Sequence, residues 1–408
     1  MEHIVHSHIM HHLDKNGTLT DVQHGFRKYP SCETQLLETI DNLAKALNNR
    51  EQIDSILLDF SKAFDKVCHR KLLIKLNHYG ITGNIHTWIT DFLHNRTQRV
   101  LVRGTFSEPI AVKSGVPQGT VLGPLLLLVY INDMPDTIKS KIALFADDTY
   151  LYKSIKSEDD IAALQNDIDQ LVKWEKLWSM EFNPSKCFLL RITNKRKILQ
   201  GDYRIHNQTL KLVENAKYLG VTISKDLSWK KHVANITSKA TNTRLFLQRN
   251  LTFTDSETRL QCYKTYVRPI VEYASAVWNP VGNISLTSKL ESVQRKSLRW
   301  IHNKWSYETS PTVLMKSSKL TTLESRRMSS RFKMFFDLMN GKKHMCQEKL
   351  PTRQRCVNVK YNPILGSIRS YEQSFFPDVV KNWNKLSSKV TNELNEIQFF
   401  EYIRALET

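Results

Sequence analysis

The chain lacks the cysteine spacings that mark a metal-binding or disulfide framework. Its six cysteines are scattered over 408 residues, and none of them forms a C-x-x-C pair or a zinc-knuckle spacing. Isolated cysteines of this kind are ordinarily free, reduced thiols. The sequence therefore predicts neither a structural zinc site nor a disulfide-stabilised secreted fold.

Long apolar runs and targeting segments are also missing. The leucine-rich stretch Pro124–Val129 is too short to span a bilayer and is soon followed by Asn132 and Asp133. We find no signal peptide, no lipidation motif and no lone amphipathic anchor. We therefore expect a location in the nucleus or cytoplasm, without secretion and without a membrane partner.

Acidic residues are too few to balance the basic residues in the second part of the chain. Residues 1–150 carry 16 Lys+Arg and 16 Asp+Glu, whereas residues 151–408 carry 43 and 24 and so account for the whole net charge of +19. The apolar content of 41% is that of a globular protein, which at this length forms two or three lobes. A neutral front and a basic rear predict chemistry in front and a polyanion, nucleic acid above all, held behind.

Two adjacent carboxylates stand near the middle of the sequence. Apolar residues lead into Asp147 and Asp148 and alternating residues follow them, which predicts a β-hairpin whose tight turn carries both acids. A plain surface turn and a divalent-metal site are both compatible with this pair. Burying two carboxylates is costly without positive charge, and Mg²⁺ favours oxygen ligands. Asp59, at the end of the apolar run Ile56–Leu58, is a third carboxylate that favours the metal site.

Three further loops carry candidate binding residues. Arg27 lies in a loop before an amphipathic helix, where it is either a solvated charge or a clamp for phosphate oxygens. The stretch Ser114–Pro124 contains Gln118 between glycines and prolines, and it is either a plain strand-to-helix loop or a place where backbone approaches a ligand closely. Lys186 follows Asn183-Pro184 in a loop with a single cation.

The remaining patterns predict mainly helices. A hairpin is predicted from Arg99–Val102 and Ile110–Val112, and a buried helix from Leu125–Ile131. The rear helices present Lys and Arg on their open faces, and they carry four aromatic residues that suit either base stacking or the core between helices. These aromatic residues are Tyr263, Tyr266, Trp278 and Trp300.

The order of these motifs resembles the reverse transcriptases of non-LTR retrotransposons, of the Jockey-like and chicken-repeat-like kind. The matching stretches are HGFRKYPSCETQL, LLDFSKAFDKVCHRKLLIKL, SGVPQGTVLGPLLLLVYINDMP, LFADDTYLY, EFNPSKC, YLGVTI, TYVRPIVEYASAVWNP and SFFPDVVKNWNKL. The resemblance implies an α+β right-hand polymerase. It divides the chain into partial fingers at 1–50, a palm with inserted fingers elements at 51–225, a helical thumb at 226–305 and a basic region at 306–408.

The resemblance also implies an RNA-directed DNA polymerase that uses an RNA template, a DNA primer and dNTPs. Two Mg²⁺ ions, which Mn²⁺ could replace, would be held by three carboxylates and one carbonyl, those of Asp59, Asp147, Asp148 and Phe60. Phe64 would select deoxynucleotides, and Lys186 would protonate the leaving pyrophosphate. The nucleotide and primer end would contact Arg27, Gln118, Gly119 and Ala146, and Leu219-Gly220 would be the primer grip.

The chain departs from the family pattern at its beginning. Further fingers sequence and an endonuclease ordinarily precede the position of Met1, so we expect an N-terminally truncated member that works with a separate endonuclease. A catalytically impaired fragment that only binds nucleic acid is the alternative. A nucleotide cyclase with a palm-like core is a third hypothesis, which the Gly115–Gly123 loop, Lys186 and the basic rear disfavour.

Overall fold

The computed structural model describes residues 1–306, 309–345, 350–354, 360–387 and 396–405. The chain divides into two compact units. Unit 1 comprises Met1–Ser31, Gln52–Arg191 and Lys195–Val213, and unit 2 comprises Cys32–Glu51, Ile192–Asn194 and Glu214–Thr408. The fingers, palm and thumb boundaries given above name functional lobes and stay predictions.

Unit 1 contains six helices and eleven short strands in its described residues. Its helices are α1 (Glu2–Lys15), α3 (Ala63–Lys66), α4 (His69–His78), α5 (Gly83–Leu93), α6 (Leu122–Ile131) and α7 (Glu158–Trp178), α2 belonging to unit 2. Its strands are β1 (Gln52–Leu58), β2 (Thr97–Gln98), β3 (Leu101–Val102), β4 (Thr105–Phe106), β5 (Ile110–Ala111), β6 (Lys141–Phe145), β7 (Asp148–Ile155), β8 (Phe188–Ile192), β9 (Arg204–Ile205), β10 (Gln208–Thr209) and β11 (Lys211–Val213).

A five-stranded sheet in the order β11-β8-β1-β7-β6 forms the centre of unit 1. Strand β1 pairs antiparallel with β7, and β7 pairs antiparallel with β6. All seven residues of β1 are buried, including Asp54, whose carboxylate accepts hydrogen bonds from Arg191 at 2.9 and 3.1 Å and from the Tyr203 hydroxyl at 3.0 Å. Buried acids persist in a core when they are paired in this way.

Helix α7 packs against β7, helix α6 packs against α1 and α4, and their apolar side chains share one core with the sheet. Helix α6 is buried almost throughout, as its unbroken Leu125–Ile131 run predicts. Helix α7 begins with a capping box formed by Ser157 and Asp160, and it buries Leu164, Ile168 and Leu171. Among the described residues, every helix is either too short or too polar to cross a lipid bilayer.

The hairpin between α5 and α6 differs from its predicted pairing. Strand β2 pairs with β5, whereas β3 pairs with the intervening β4. The predicted Arg99–Val102 strand thus does not pair with Ile110–Val112. The reason is the turn at Arg103-Gly104, whose φ angles of 48° and 85° close a tighter inner hairpin.

Unit 2 is mainly helical. Its helices are α2 (Cys32–Asn48), α8 (Lys230–Asn250), α9 (Ser256–Cys262), α10 (Arg268–Glu272), α11 (Ser275–Trp278), α12 (Ile284–Ile301), α13 (Pro311–Ser317), α14 (Leu323–Met339), α15 (Arg369–Glu372), α16 (Phe375–Trp383) and a last helix, Glu396–Ala405. One short antiparallel pair, β12 (Asn215–Tyr218) and β13 (Val221–Ser224), precedes α8.

Three of the four aromatic residues that suited either base stacking or core packing lie in the core of unit 2. Tyr263, Trp278 and Trp300 are buried, which favours the core interpretation, whereas Tyr266 is 58% exposed. A π-helical turn at Tyr263–Val267 separates α9 from α10. Pro269 follows this turn, and it lacks the N–H that a regular helix would use.

Candidate active site

The three predicted carboxylates lie at one end of the central sheet of unit 1. Asp59 directly follows β1, and Asp148 is the first residue of β7. Leu58 is paired with Thr149 in the β1–β7 ladder, so the next step along both strands places Asp59 beside Asp148. The third carboxylate, Asp147, immediately precedes Asp148.

The turn that carries these acids lies one residue earlier than predicted. Phe145 pairs with Asp148, so the turn residues are Ala146 and Asp147, and Asp148 belongs to the strand rather than to the turn. Ala146 has a φ of 52° and is 6% exposed. A buried non-glycine residue in this left-handed conformation needs support from its surroundings.

Gln23 supplies that support, and no pattern in the sequence predicts this role. Its side-chain oxygen accepts hydrogen bonds at 2.8 Å from the N–H groups of both Ala146 and Gly25, and its side-chain nitrogen donates to the Ala146 carbonyl at 3.2 Å. Hydrogen bonds between the backbones of Val22, His24 and Leu144 tie the same segment to β6. The amide of Gln23 thus satisfies both backbone groups of the strained turn residue.

Gly25 is required by the same close approach. A Cβ atom at this position would lie 2.3 Å from the Ala146 nitrogen, well inside any normal contact. The Gly25 N–H also donates to Gln23. The one signal in the sequence that points to this contact is the glycine beside Gln23 and His24, and it does not identify the partner.

The carboxylates influence one another electrostatically. Desolvation by the surrounding chain, and then the negative charges of Asp147 and Asp59, raise the pKa of Asp148 to about 6 even though its side chain reaches solvent. Burial and the charge of Asp59 likewise raise the pKa of Asp147, against a lowering by Lys186. Such shifts are typical of acids gathered without enough positive charge between them.

Lys186 is the cation nearest to this group. Its Nζ lies 3.5 Å from Asp59 Oδ1, and both side chains are substantially exposed. The Asn183 N–H donates to the Asp59 carbonyl at 2.8 Å. The rings of Phe60 and Phe182 stack with centroids 4.3 Å apart, which fixes the Lys186 loop against the end of β1.

The loop with Gln118 packs against the short helix α3, which carries Phe64. The N–H groups of Gly115 and Val116 donate to the carbonyls of Val67 and Phe64, both at 2.8 Å. The Gln118 side chain reaches Asp65 at 3.4 Å. Gln118 and Gly119 are exposed while Phe64 is half-buried, so the loop and Phe64 form one surface.

Arg27 contacts neither the carboxylates nor Gln118 in this structure. Its guanidinium donates to the Thr20 carbonyl at 3.0 Å and lies 3.8 Å from Asp14, an exposed carboxylate. A surface pair at this distance is weak. The position of the acids therefore gives no support to the predicted contact between Arg27 and phosphate.

Unit 2 contains the predicted primer-grip turn. Leu219 and Gly220 close the β12–β13 hairpin with φ angles of 43° and 83°. The Tyr273 hydroxyl donates to the Leu219 carbonyl at 3.0 Å, and a Cβ on Gly220 would meet the Tyr273 ring at 2.9 Å. Tyr273 is thus a second residue whose contact with a turn no local sequence pattern predicts.

The charge and donor type of the three acids suit a divalent metal ion. Three carboxylates accompanied by one contacting ammonium leave net negative charge, and oxygen donors suit Mg²⁺ and Mn²⁺. Within the part of the chain that the structure describes, however, no three His, Cys, Asp or Glu side chains converge closely enough to hold one ion. The three carboxylates suit a divalent cation in donor type and charge. They would have to move closer together to bind one ion.

The family of the chain follows from comparison with known proteins. Residues 1–223, more than half of the chain, match the family described as reverse transcriptase (RNA-dependent DNA polymerase). The chain belongs to this family. The family's polymerase architecture and the mixed sheet and helices of both units agree with the predicted α+β right-hand class.

Individual relatives support the predicted resemblance to non-LTR retrotransposon reverse transcriptases. The chain is 28% identical over 345 residues to the probable RNA-directed DNA polymerase from transposon BS of Drosophila melanogaster, which covers 78% of this chain and 37% of that protein. It is 29% identical over 316 residues to the RNA-directed DNA polymerase from mobile element jockey of the same species, covering 74% and 34%. The chain thus spans about a third of the length of these curated relatives.

Solved structures show a looser similarity to this chain. The apo telomerase of Candida tropicalis superposes with a TM-score of 0.46 and 11% identity, covering 81% of this chain and 53% of that one. This overlap is too loose to support an argument about the site. Reverse transcriptases as a family use divalent metal ions, which agrees with the oxygen donors of Asp59, Asp147 and Asp148.

Proposed function

We propose that this chain is an RNA-directed DNA polymerase that adds dNTPs to a primer 3′ end on an RNA template. The observation that carries the proposal is the gathering of Asp59, Asp147 and Asp148 at the end of adjacent strands in a reverse transcriptase family member. The basic composition of residues 151–408 adds to it, because a polymerase must hold a polyanionic duplex.

The metal ions are part of this proposal. Two Mg²⁺ ions, or Mn²⁺ in their place, would be held by Asp59, Asp147, Asp148 and the Phe60 carbonyl. When bound, such ions make the primer 3′-hydroxyl more acidic and stabilise negative charge on the pyrophosphate. The raised pKa values of Asp147 and Asp148 support this assignment, since divalent charge relieves the repulsion that contributes to them.

The remaining residues would position the nucleotide. Gln118 and Gly119 would line its pocket, Ala146 would contact the primer end, and the half-buried ring of Phe64 would exclude a 2′-hydroxyl. Lys186 would donate a proton to the leaving pyrophosphate, and its 3.5 Å contact with Asp59 supports a place beside the reaction. Arg27 would bind the triphosphate by exchanging its weak contact with Asp14 for phosphate oxygens.

The lobes and partners follow the same proposal. Residues 1–50 would supply partial fingers, 51–225 the palm and 226–305 the thumb, with a basic region behind. RNA template and DNA primer would be the partners, with a separate endonuclease as a further one. A fragment that binds nucleic acid without polymerising is the second candidate, and the charge of +19 favours it equally.

Primer extension on an RNA template, with the full chain, dNTPs and Mg²⁺, separates the two candidates. Asp147→Asn is expected to reduce synthesis by about 10³-fold or more, because a metal ligand worth several kcal/mol is lost. RNA binding should remain, since the basic residues are unchanged. Asp91→Asn, at an exposed carboxylate on α5, is the matched control and should retain activity.

Each outcome of this experiment decides something. Synthesis that persists in Asp147→Asn would contradict the assignment of Asp147 as a metal ligand. A wild-type chain that binds RNA in a salt-dependent way but makes no DNA would favour the binding-only candidate.

Phe64→Ala tests the sugar selection. Removing the ring should raise the ratio of ribonucleotide to deoxynucleotide incorporation about tenfold or more, because the steric exclusion of the 2′-hydroxyl is lost. The measurement is the ratio of rNTP to dNTP incorporation on one template. Sugar discrimination that stays at the wild-type level would remove Phe64 from this role.

A further inference from the structure

The hairpin of β2 to β5 is exposed along its whole length. Every residue from Thr97 to Ala111 is solvent-accessible, including five apolar residues. These are Val100, Leu101, Val102, Phe106 and Ile110, each between 57% and 63% exposed. Leu101 and Phe106 are directly opposed across the β3–β4 ladder and so form one apolar patch.

A hairpin that buries none of these side chains gains little stability from its own folding. Two-stranded hairpins without a packed face are marginally stable in water. A contiguous exposed apolar patch ordinarily marks a contact surface. We therefore expect a binding partner to cover the apolar patch of this hairpin.

The charge of the hairpin indicates what covers it. Residues 96–113 include Arg96, Arg99, Arg103 and Lys113 but a single acid, Glu108, within a front part of the chain whose net charge is zero. In the described structure, no side-chain hydrogen bond or ion pair engages Arg99, Arg103 or Lys113. Unpaired cations interleaved with an aromatic ring complement phosphates and bases rather than an apolar protein face.

The base of the hairpin opens on the candidate nucleotide loop. A cavity of about 750 Å³ is lined by Arg96–Gln98 from one strand, by Ala111–Gln118 from the other strand and its continuation, and by Asp65. A strand of nucleic acid lying along the hairpin would thus lead towards Gln118.

We propose that residues 96–113 bind the unpaired, single-stranded template next to the nucleotide site. Arg99, Arg103 and Lys113 contact its phosphates, and Phe106 stacks on a base. The proposal rests on the proposed function, because it names the partner that this surface receives.

The first test measures binding of a single-stranded RNA oligonucleotide to the full chain by fluorescence anisotropy, without dNTPs or metal. Arg99→Gln combined with Arg103→Gln should weaken binding roughly tenfold at 0.1 M salt and reduce the salt slope by about 1.4, since each lost phosphate contact removes about 0.7. Phe106→Ser should weaken binding about fivefold or more, through lost stacking.

Matched controls lie on the exposed face of α7 in the same unit. Lys173→Gln combined with Lys176→Gln removes the same charge, and Leu177→Ser removes a similarly exposed apolar side chain. Both control variants should keep the wild-type affinity and salt slope. If the hairpin and control variants weaken binding equally, only overall charge matters and the proposal is overturned.

Cross-linking provides a measurement on the unaltered chain. RNA that carries 4-thiouridine should cross-link within residues 96–113, as peptide mapping would show. RNA binding without a cross-link there, or hairpin variants that bind RNA normally but change the sedimentation of the chain, would instead indicate a protein contact. Because none of these measurements requires synthesis, an inactive chain that still binds RNA through the hairpin would refute the polymerase but confirm the contact between the hairpin and single-stranded RNA.

Discussion

Two β-turns in this protein are each held by a side chain from a distant part of the sequence, but they are held differently. In unit 1, Gln23 satisfies both backbone groups of Ala146, 123 residues away. In unit 2, the Tyr273 hydroxyl holds one carbonyl, that of Leu219, 54 residues away. Both turns have a non-glycine residue at positive φ.

The surroundings of the two turns differ as much as the contacts. Gln23, Gly25 and Ala146 are buried, so water cannot replace the bonds between them. Leu219 is partly accessible, Gly220 is exposed and Tyr273 is 45% exposed. The first turn is held in one geometry, as the proposed role of its acids requires, whereas the second is free to adjust, as the proposed primer contact requires.

Gln23→Met is the strongest test of this contrast. It keeps the side-chain length but leaves the buried N–H groups of Ala146 and Gly25 without an acceptor, which should cost about 4 kcal/mol of unfolding free energy. Urea unfolding measures the loss, and primer extension should fall with it. Gln165→Met, which removes more exposed hydrogen bonds to Asp169 and Arg204, is the control. Equal losses in both variants would contradict the special role of the Ala146 turn.

Acid should loosen the second turn before the first. Burial lowers the pKa of His232 to about 4, and its neutral Nδ1 accepts a hydrogen bond from the Thr222 N–H on β13 at 3.2 Å. Because the folded pKa lies below the ordinary 6.5, this stability is complete above about pH 6.5 and is lost as the pH falls towards 4, by at most about 3 kcal/mol.

Thermal unfolding of the wild type and of His232→Leu over pH 4 to 7 checks this. The difference between the two proteins should shrink as the pH falls. His94→Gln, at an exposed histidine, should follow the wild type. A pH dependence unchanged by His232→Leu would show that other groups determine it.

Tyr273→Phe should have the smallest effect. It removes one hydrogen bond at a partly wet site, worth about 1 kcal/mol, and keeps the ring beside Gly220. If the turn grips the primer, KM for the primer should rise about threefold to tenfold with kcat unchanged, and Tyr273→Ala should raise it further. Tyr266→Phe, at an exposed tyrosine of unit 2, serves as control. A change in kcat alone would place Tyr273 elsewhere in the cycle.

Local pattern was sufficient to predict the strands on either side of the acids and the buried helix that precedes them, but not the pairing of the hairpin between α5 and α6. The alternation after Asp148, the apolar run before Asp59 and the apolar stretch Leu125–Ile131 each correspond to an observed element. The turn was placed one residue late because Ala146, unlike Asn-Gly or Asp-Gly, gives no sequence signal for positive φ. Gln23 and Tyr273 escaped because each depends on contacts between segments far apart in the chain.

Helix α2 has a consequence for how the chain is made. It is synthesised early, yet it buries its apolar stripe within unit 2, against α11, α15 and α16, whose residues come more than two hundred positions later. At a synthesis rate of about 5–20 residues per second, this stripe stays uncovered on the ribosome for tens of seconds. A shortened version that ended at residue 223, the limit of the family match, would never cover it. The piece that looks like a complete catalytic domain in sequence is thus a poor unit to express alone.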